Sequence, residues 1–271
     1  MKINKVENKI IPDKIDSSRV VPEMAGQRDV TFLEHLYKHN FALKKIDIIN
    51  KTILDVACGV GYGSEIFSKV AKKVIAVDSS TEAINYSKTR YHSSNLEFKV
   101  MEASKLDFPD NYFDVVISIE TIAFVKKYRQ FINEVHRALK PNGIFMVTSI
   151  NKGVVPKGKK LYHPLHAQEF TKDELSNALS LNFYDLEFYI QKMGYYRRLY
   201  KKLRLSLRYA NPGFSRFLVR QIERHYKEIE KIPEFLRIIL YELKDKLKII
   251  PYFNQEPYIR PTFYIVICKN K

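Results

Sequence analysis

Short apolar runs alternate along the middle of the chain with longer stretches whose apolar positions recur every three to four residues. The short runs, rich in β-branched residues, predict strands at 53–57, 73–78, 96–101, 113–119 and 143–150. Helices are expected between them at 63–72, 80–91 and 128–139, with another ahead of them at 31–44. Each strand run is almost continuously apolar, the pattern of a sheet covered on both faces. Strand, helix and strand in succession predict parallel βαβ units. After the third helix, Pro141 blocks continuation and Gly143 is expected to allow a tight reversal into the next strand. Two later runs, 183–191 and 262–268, bring the expectation to seven strands.

Three segments stand outside this alternation. Residues 1–30 are polar and carry Pro12 and Pro22, so they read as an arm. Residues 151–166 form a loop rich in Lys, Gly and Pro after a strand's carboxyl end, where ligand-contacting loops sit in open α/β sheets. Residues 192–261 separate the last two strands and carry helix-like basic stretches. The domain reading is therefore an arm at 1–30, an α/β domain of 31–191 with 262–271, and a basic helical insertion at 192–261.

Composition changes this picture in two ways. With 45% hydrophobic and 13% aromatic residues, the chain of 271 residues has enough apolar surface for a sizeable core, which excludes disordered and collagen-like classes. Two distant cysteines, Cys58 and Cys268, offer neither a disulfide framework nor a zinc cluster and favour a reducing compartment. No signal-peptide pattern opens the sequence and no apolar run reaches about eighteen residues. The expectation is a cytoplasmic protein, with peripheral contact at the inner membrane surface left open. The formal charge of +16 is uneven: residues 192–261 hold 17 Lys+Arg against 7 Asp+Glu, whereas residues 1–191 hold 27 against 23.

The candidate chemistry starts at ILDVACGVGYG, which sets Asp55 inside the first strand and glycines 59, 61 and 63 in the following turn. Glycines let a backbone pass close to a ligand, and the next helix presents free N–H groups. Asp78 ends the second strand nineteen residues after Gly59, where an acid suits ribose hydroxyls. A nicotinamide dinucleotide site also wants an acid there, but its fingerprint is G-x-G-x-x-G, whereas this turn reads G-x-G-x-G.

Taken together, these residues resemble the Rossmann-like class I S-adenosylmethionine-dependent methyltransferases, from about Arg19 to Gln191 and again over 262–269. The resemblance implies a mostly parallel seven-stranded sheet with an antiparallel last strand. It implies that Asp55, Gly59 and Gly61 surround the methionine part of the cofactor, Asp78 the ribose, and Glu102 with Ala103 the adenine. Ala57, Cys58, Tyr62, Ser79, Ser118, Ile119 and Glu120 are implied as further lining. KLDFPDNYFDVVIS and RALKPNGIFMVTSIN match further family strings. The strings around Arg19–Glu23, Glu34-His35 and Phe41-Ala42, with His163, His166 and Glu169-Phe170 later, resemble a branch linked to glycan and polysaccharide synthesis. One departure is that the family's ETIEHV reads ETIAFV at 120–125, which puts a metal or base role there in doubt.

S-adenosylmethionine, which becomes S-adenosylhomocysteine on transfer, carries an already activated methyl group. The protein must align an acceptor in a water-poor pocket and, for a hydroxyl, take a proton. His163, His166 and Glu169 are the candidate bases, with the alternative that both histidines pin their loop. Cys58 reads as a packed thiol rather than a reactive one, and Tyr62 either closes over the cofactor or covers the helix start. Glu120 either faces the site or caps the next segment. His35 and His39 have the i,i+4 spacing of metal ligands but no third ligand nearby, so a solvated or packed face is expected and no metal.

The basic insertion admits three readings: a helical cap over the site, an anionic-membrane contact, or a nucleic-acid surface. The cap ranks first, and nucleic acid last because no nucleic-acid motif accompanies the charge. The expected activity is O-methylation of a sugar hydroxyl in a glycan or lipid-linked glycan precursor, or of a small-molecule acceptor. The rivals are an RNA or protein methyltransferase and a non-catalytic cofactor-binding scaffold.

Overall fold

The computed structural model describes residues 21, 30–154, 163–191, 249–251 and 263–271. The chain divides into two units, Met1–Tyr189 with Phe263–Lys271, and Ile190–Thr262. The first contains helices α1 (Val30–Lys45), α2 (Tyr62–Ser68), α3 (Thr81–Arg90), α4 (Tyr128–Ala138) and α5 (Lys172–Ser180). Its strands are β1 (Thr52–Val56), β2 (Lys73–Asp78), β3 (Leu96–Val100), β4 (Phe113–Ser118) and β5 (Leu139–Ile150), followed by β6 (Phe183–Gln191). In the second unit β7 (Ile249–Pro251) is described, and β8 (Phe263–Asn270) returns to the first. Among the described residues no helix is long and apolar enough to cross a membrane.

The sheet of the first unit runs β3-β2-β1-β4-β5-β8-β6. Strands β1 to β5 pair parallel, and β8 pairs antiparallel with β5 over Ile144↔Lys269 to Ile150↔Phe263. The apolar runs explain the core: Ile53, Leu54 and Val56 of β1, with Asp55 between them, and Val74 to Val77 of β2 are buried. Helix α4 buries Phe131, Ile132, Val135 and Ala138, one face at helical spacing, and the Phe131 ring meets Phe145 of β5 edge-on at 6.1 Å. Ser80 starts α3 by accepting the Ala83 N–H. Between β1 and β4 the strand order reverses, and a crevice opens at the carboxyl ends of such neighbours because their connections leave in opposite directions.

Three expectations need correction. Strand β5 begins at Leu139, not 143, because the Lys140–Gly143 stretch is taken up as an irregularity where the pairing jumps from Phe113↔Leu139 to Val115↔Ile144. Within it Asn142 adopts the left-handed φ of 61°, while Gly143 is needed for space, since a Cβ there would lie 2.8 Å from the Lys140 carbonyl. Helix α5 was not foreseen; it starts with Thr171 and Glu174 in a reciprocal capping box. The third concerns 192–261: its last expected helix, 233–250, runs into the extended β7, and the rest of the basic insertion lies outside the described residues. The 1–30 arm does too, apart from Val21 and the first residue of α1; Val21 is buried in a cluster with Val60, Ala83 and Tyr86.

Candidate active site

At the reversal between β1 and β4 lies a cavity of about 760 Å3, within the range of small-molecule sites. It collects loops that are far apart in sequence. The β1 end supplies Asp55, Ala57, Cys58 and Gly59; the β2 end supplies Asp78 and Ser79; Glu102 and Ala103 follow β3; Ile119 and Glu120 follow β4. Helix α1 adds His35 and His39, and Tyr62 stands at the start of α2.

The first turn is shaped by backbone conformations that side chains disfavour. Ala57, Gly59 and Gly61 have φ of 59°, 57° and 79°. A Cβ at Gly59 would meet nothing within 4 Å, so this position opens on free space. Gly61 is held by a different constraint: a Cβ there would lie 2.6 Å from the Phe98 ring and 2.8 Å from Ser87 Oγ. Asp78 ties the turn down. Its Oδ2 accepts the Gly59 N–H at 2.9 Å and its Oδ1 accepts the Ser80 N–H at 2.9 Å. Asp55 accepts Ser64 Oγ–H at 2.6 Å. Burial, offset by that hydrogen bond and reinforced by the neighbouring Asp78 charge, pushes the Asp55 carboxyl up to about 7. The Cys58 thiol is raised by burial and by the Asp55 and Asp78 charges, so it is a protonated wall rather than a nucleophile. Burial also raises the Tyr62 phenol, whose ring meets Phe32 edge-on at 5.5 Å.

A second wall is built by α1 and the loop after β4. Glu120, in the left-handed conformation with φ 57°, donates its N–H to Thr148 Oγ1 at 2.7 Å. Its carboxylate accepts from His35 Nε2 at 3.1 Å and from Lys38 Nζ. Lys38 is fully buried, its ammonium 3.9 Å from the centre of the Phe263 ring on β8. Burial alone raises a carboxyl, but the His35 and Lys38 charges overcome it and hold Glu120 well below the usual range. His39 donates from Nδ1 to the His35 carbonyl at 2.8 Å, and burial pushes its imidazole down to about 3, so it stays neutral. Its ring packs where a Cβ at Gly63 would be, 2.0 Å from Nε2.

The comparisons with known proteins fit this geometry. Residues 54–147 match the methyltransferase domain family. A Mycobacterium tuberculosis protein named "Probable S-adenosylmethionine-dependent methyltransferase" is 31% identical over 175 residues, 62% of this chain and 63% of its own. The fatty-acid O-methyltransferase of Mycolicibacterium smegmatis is 28% identical over 177 residues, covering 58% of this chain and 65% of the relative. The matches span 53% and 63% of the length of the first curated relatives. The solved S-adenosylmethionine-dependent methyltransferase from Thermotoga maritima superposes with a TM-score of 0.57 at 14% identity, covering 89% of this chain and 92% of that one. At that identity the likeness is one of fold.

Within this cavity, two expected lining residues stand back. Gly61 is spent on packing against Phe98, and Ser118 is buried, donating from Oγ to the Val56 carbonyl at 3.3 Å. The expected bases are also not among its lining residues; Leu165 represents their loop. His166 Nδ1 lies 2.5 Å from Glu169 Oε1, and its ring meets Phe124 edge-on at 4.7 Å. His163 Nδ1 accepts the Leu165 N–H at 3.2 Å. The loop is fastened to the β4 connection by Gln168, which donates to the Ile122 and Val125 carbonyls, and by Ala167 N–H to the Ala123 carbonyl at 2.7 Å. The structure thus places both histidines in loop-pinning contacts.

Sequence reasoning did not foresee His35, His39 and Lys38 around Glu120. The i,i+3 spacing of His35 and Lys38 gave them a shared face, but their partner is 82 residues from Lys38. Among the described residues no group of three or more His, Cys, Asp or Glu is arranged to hold a metal ion.

Proposed function

We propose that this protein is an S-adenosylmethionine-dependent methyltransferase that methylates a sugar hydroxyl of a glycan or lipid-linked glycan precursor. The observation that carries the class is the convergence of Asp55, Gly59, Asp78 and Glu102, from three separate strand ends, on one cavity at the sheet's reversal. The methyltransferase class and its cofactor are supported by the matching domain family and by the names of the relatives.

The donor set fits the cofactor. The acid Asp78 at the end of β2 suits ribose hydroxyls, Gly59 leaves room where a side chain would intrude, and Glu102 with Met101 and Ala103 lines the side expected beside adenine. When bound, the cofactor supplies a methyl group on a positively charged sulfur. Carboxylates Asp55 and Glu120 on the two walls favour that charge, while Tyr62, Phe124 and Leu165 exclude water from the acceptor's approach.

The glycan acceptor rests on the strings around Glu34-His35 and His163–Phe170. A second reading, a lipid oxygen as acceptor, is favoured by the exposed Phe124 and Leu165 on the cavity lining and by the fatty-acid O-methyltransferase among the relatives. Calorimetry with S-adenosylmethionine tests the class: micromolar binding is expected, and none would overturn it. Radiolabelled methyl transfer into cell-extract fractions sorted as carbohydrate, lipid, RNA and protein tests the acceptor. Label in the carbohydrate or glycolipid fraction is expected; label confined to fatty acids supports the second reading.

A further inference from the structure

On the basis of the methyltransferase reading above, we infer that His35 of α1 is the catalytic base that takes the acceptor's hydroxyl proton, with Glu120 as its positioning residue. Four observations carry this. His35 and Glu120 both line the cavity that Asp55 and Asp78 also line. An ionised carboxylate only accepts hydrogen bonds, so the 3.1 Å contact between His35 Nε2 and Glu120 Oε2 requires the proton on Nε2. In the neutral imidazole that leaves the lone pair on Nδ1, which has no partner among the described residues. Glu120 is fixed independently of His35, by the buried Lys38 and by its N–H to Thr148, so the imidazole is oriented by a group that is itself held.

The arrangement is a histidine and carboxylate pair, the logic by which a carboxylate sets the tautomer and stabilises the imidazolium that forms. In the step, the acceptor O–H proton passes to Nδ1 as the O–C bond forms and the C–S bond breaks, with that bond's electron pair going to sulfur. The imidazolium then returns its proton to water. His39, one turn away on the same helix, is unsuited: its Nδ1 is used by the His35 carbonyl and its ring is packed against Gly63. His166 is not among the residues that line the cavity.

Two measurements test the assignment, and the first needs neither cofactor nor acceptor. Nitrogen-15 NMR of the ligand-free protein above pH 8 should show His35 as the tautomer protonated on Nε2; protonation on Nδ1 overturns the inference. In the second, His35→Gln is compared with the wild type, with calorimetric affinity for S-adenosylmethionine beside label transfer into whichever extract fraction the wild type labels. The expected result is a turnover loss on the order of 100-fold or more with cofactor affinity within about twofold, and partial recovery of His35→Ala by added imidazole. Unchanged turnover, or a loss explained by weaker cofactor binding alone, makes His35 a cofactor clamp and overturns it. If the wild type binds no S-adenosylmethionine, the methyltransferase reading itself fails, whatever the tautomer.

Discussion

The two walls of the cavity are made in different ways. The Asp55–Asp78 wall is assembled from neighbours: β1 and β2 pair directly, and one carboxylate accepts the Gly59 N–H of the turn after β1 and the Ser80 N–H ahead of α3. The α1–Glu120 wall is assembled from strangers: a helix ahead of the sheet, the loop after β4, and β8 meet around one buried ion pair. A wall built locally is specified by short motifs and held by backbone geometry. A wall built from distant pieces is specified by complementarity of charge, and one missing partner leaves a buried or half-buried charge without its counter-ion.

That contrast predicts unequal responses to substitution. The largest effect falls on the α1 wall: Lys38→Met removes the counter-charge of Glu120 and is expected to cost about 3–5 kcal/mol in denaturant unfolding. Most of that loss should return in Lys38→Met/Glu120→Gln. If Lys38→Met alone is neutral, the pair does not hold this wall. Next, Gly61→Ala forces a Cβ against Phe98 and into a left-handed conformation, with an expected loss of about 2–3 kcal/mol. Asp78→Asn sets an NH2 donor against one of the two backbone N–H groups that the carboxylate accepts, so affinity for S-adenosylmethionine should fall about 10- to 100-fold and Tm should fall with it.

A smaller effect is one of pH. Asp55 has its folded pKa raised to about 7 from 3.8, so the neutral form is favoured by folding; its contribution is complete below about pH 4 and is lost as pH rises through 7. His39 acts oppositely: neutral in the fold, it favours the native state above about pH 6.5 and loses that contribution as pH falls from 6.5 toward 3. Thermal melts of the ligand-free protein from pH 6.5 to 8.5 should therefore decline, and Asp55→Asn should flatten that decline. The smallest effect is expected outside both walls: Lys269→Ala breaks the exposed pair with Asp185 at 2.9 Å and should leave Tm essentially unchanged.

The sequence revealed the neighbourly wall far better than the other. Strands β2 and β6 fall at their expected residues, and β1, β3 and β4 within one, because each is an apolar run closed by a polar or glycine-rich turn. Asp55, Gly59, Asp78 and Glu102 were legible because their chemistry sits at strand ends, where periodicity stops. Helix α5 was missed although Thr171 and Glu174 spell its capping box, because the apolar face it presents is short. The α1 wall was beyond reach for a different reason. His35 and His39 drew attention as a pair, but one pairs with Glu120 and the other packs against Gly63, partners that only the folded chain supplies. His166 drew attention as a base, and its contact with Glu169 is three residues away and local. Local spacing therefore suggested chemistry where the fold uses it for anchoring.

The position of β8 bears on the order in which the molecule can be completed during synthesis. This strand fills the gap between β5 and β6, and Phe263 on it covers the Lys38 ammonium. A nascent chain that has reached residue 250 has every other strand of the first unit, yet β5 still shows an open edge of apolar residues and the ion pair lacks its cover. Until 263–270 emerge, the partly made sheet offers that edge to any extended segment nearby, including another ribosome's product. The distant wall is thus also the last to be sealed, and the interval before sealing is when the chain most needs a chaperone.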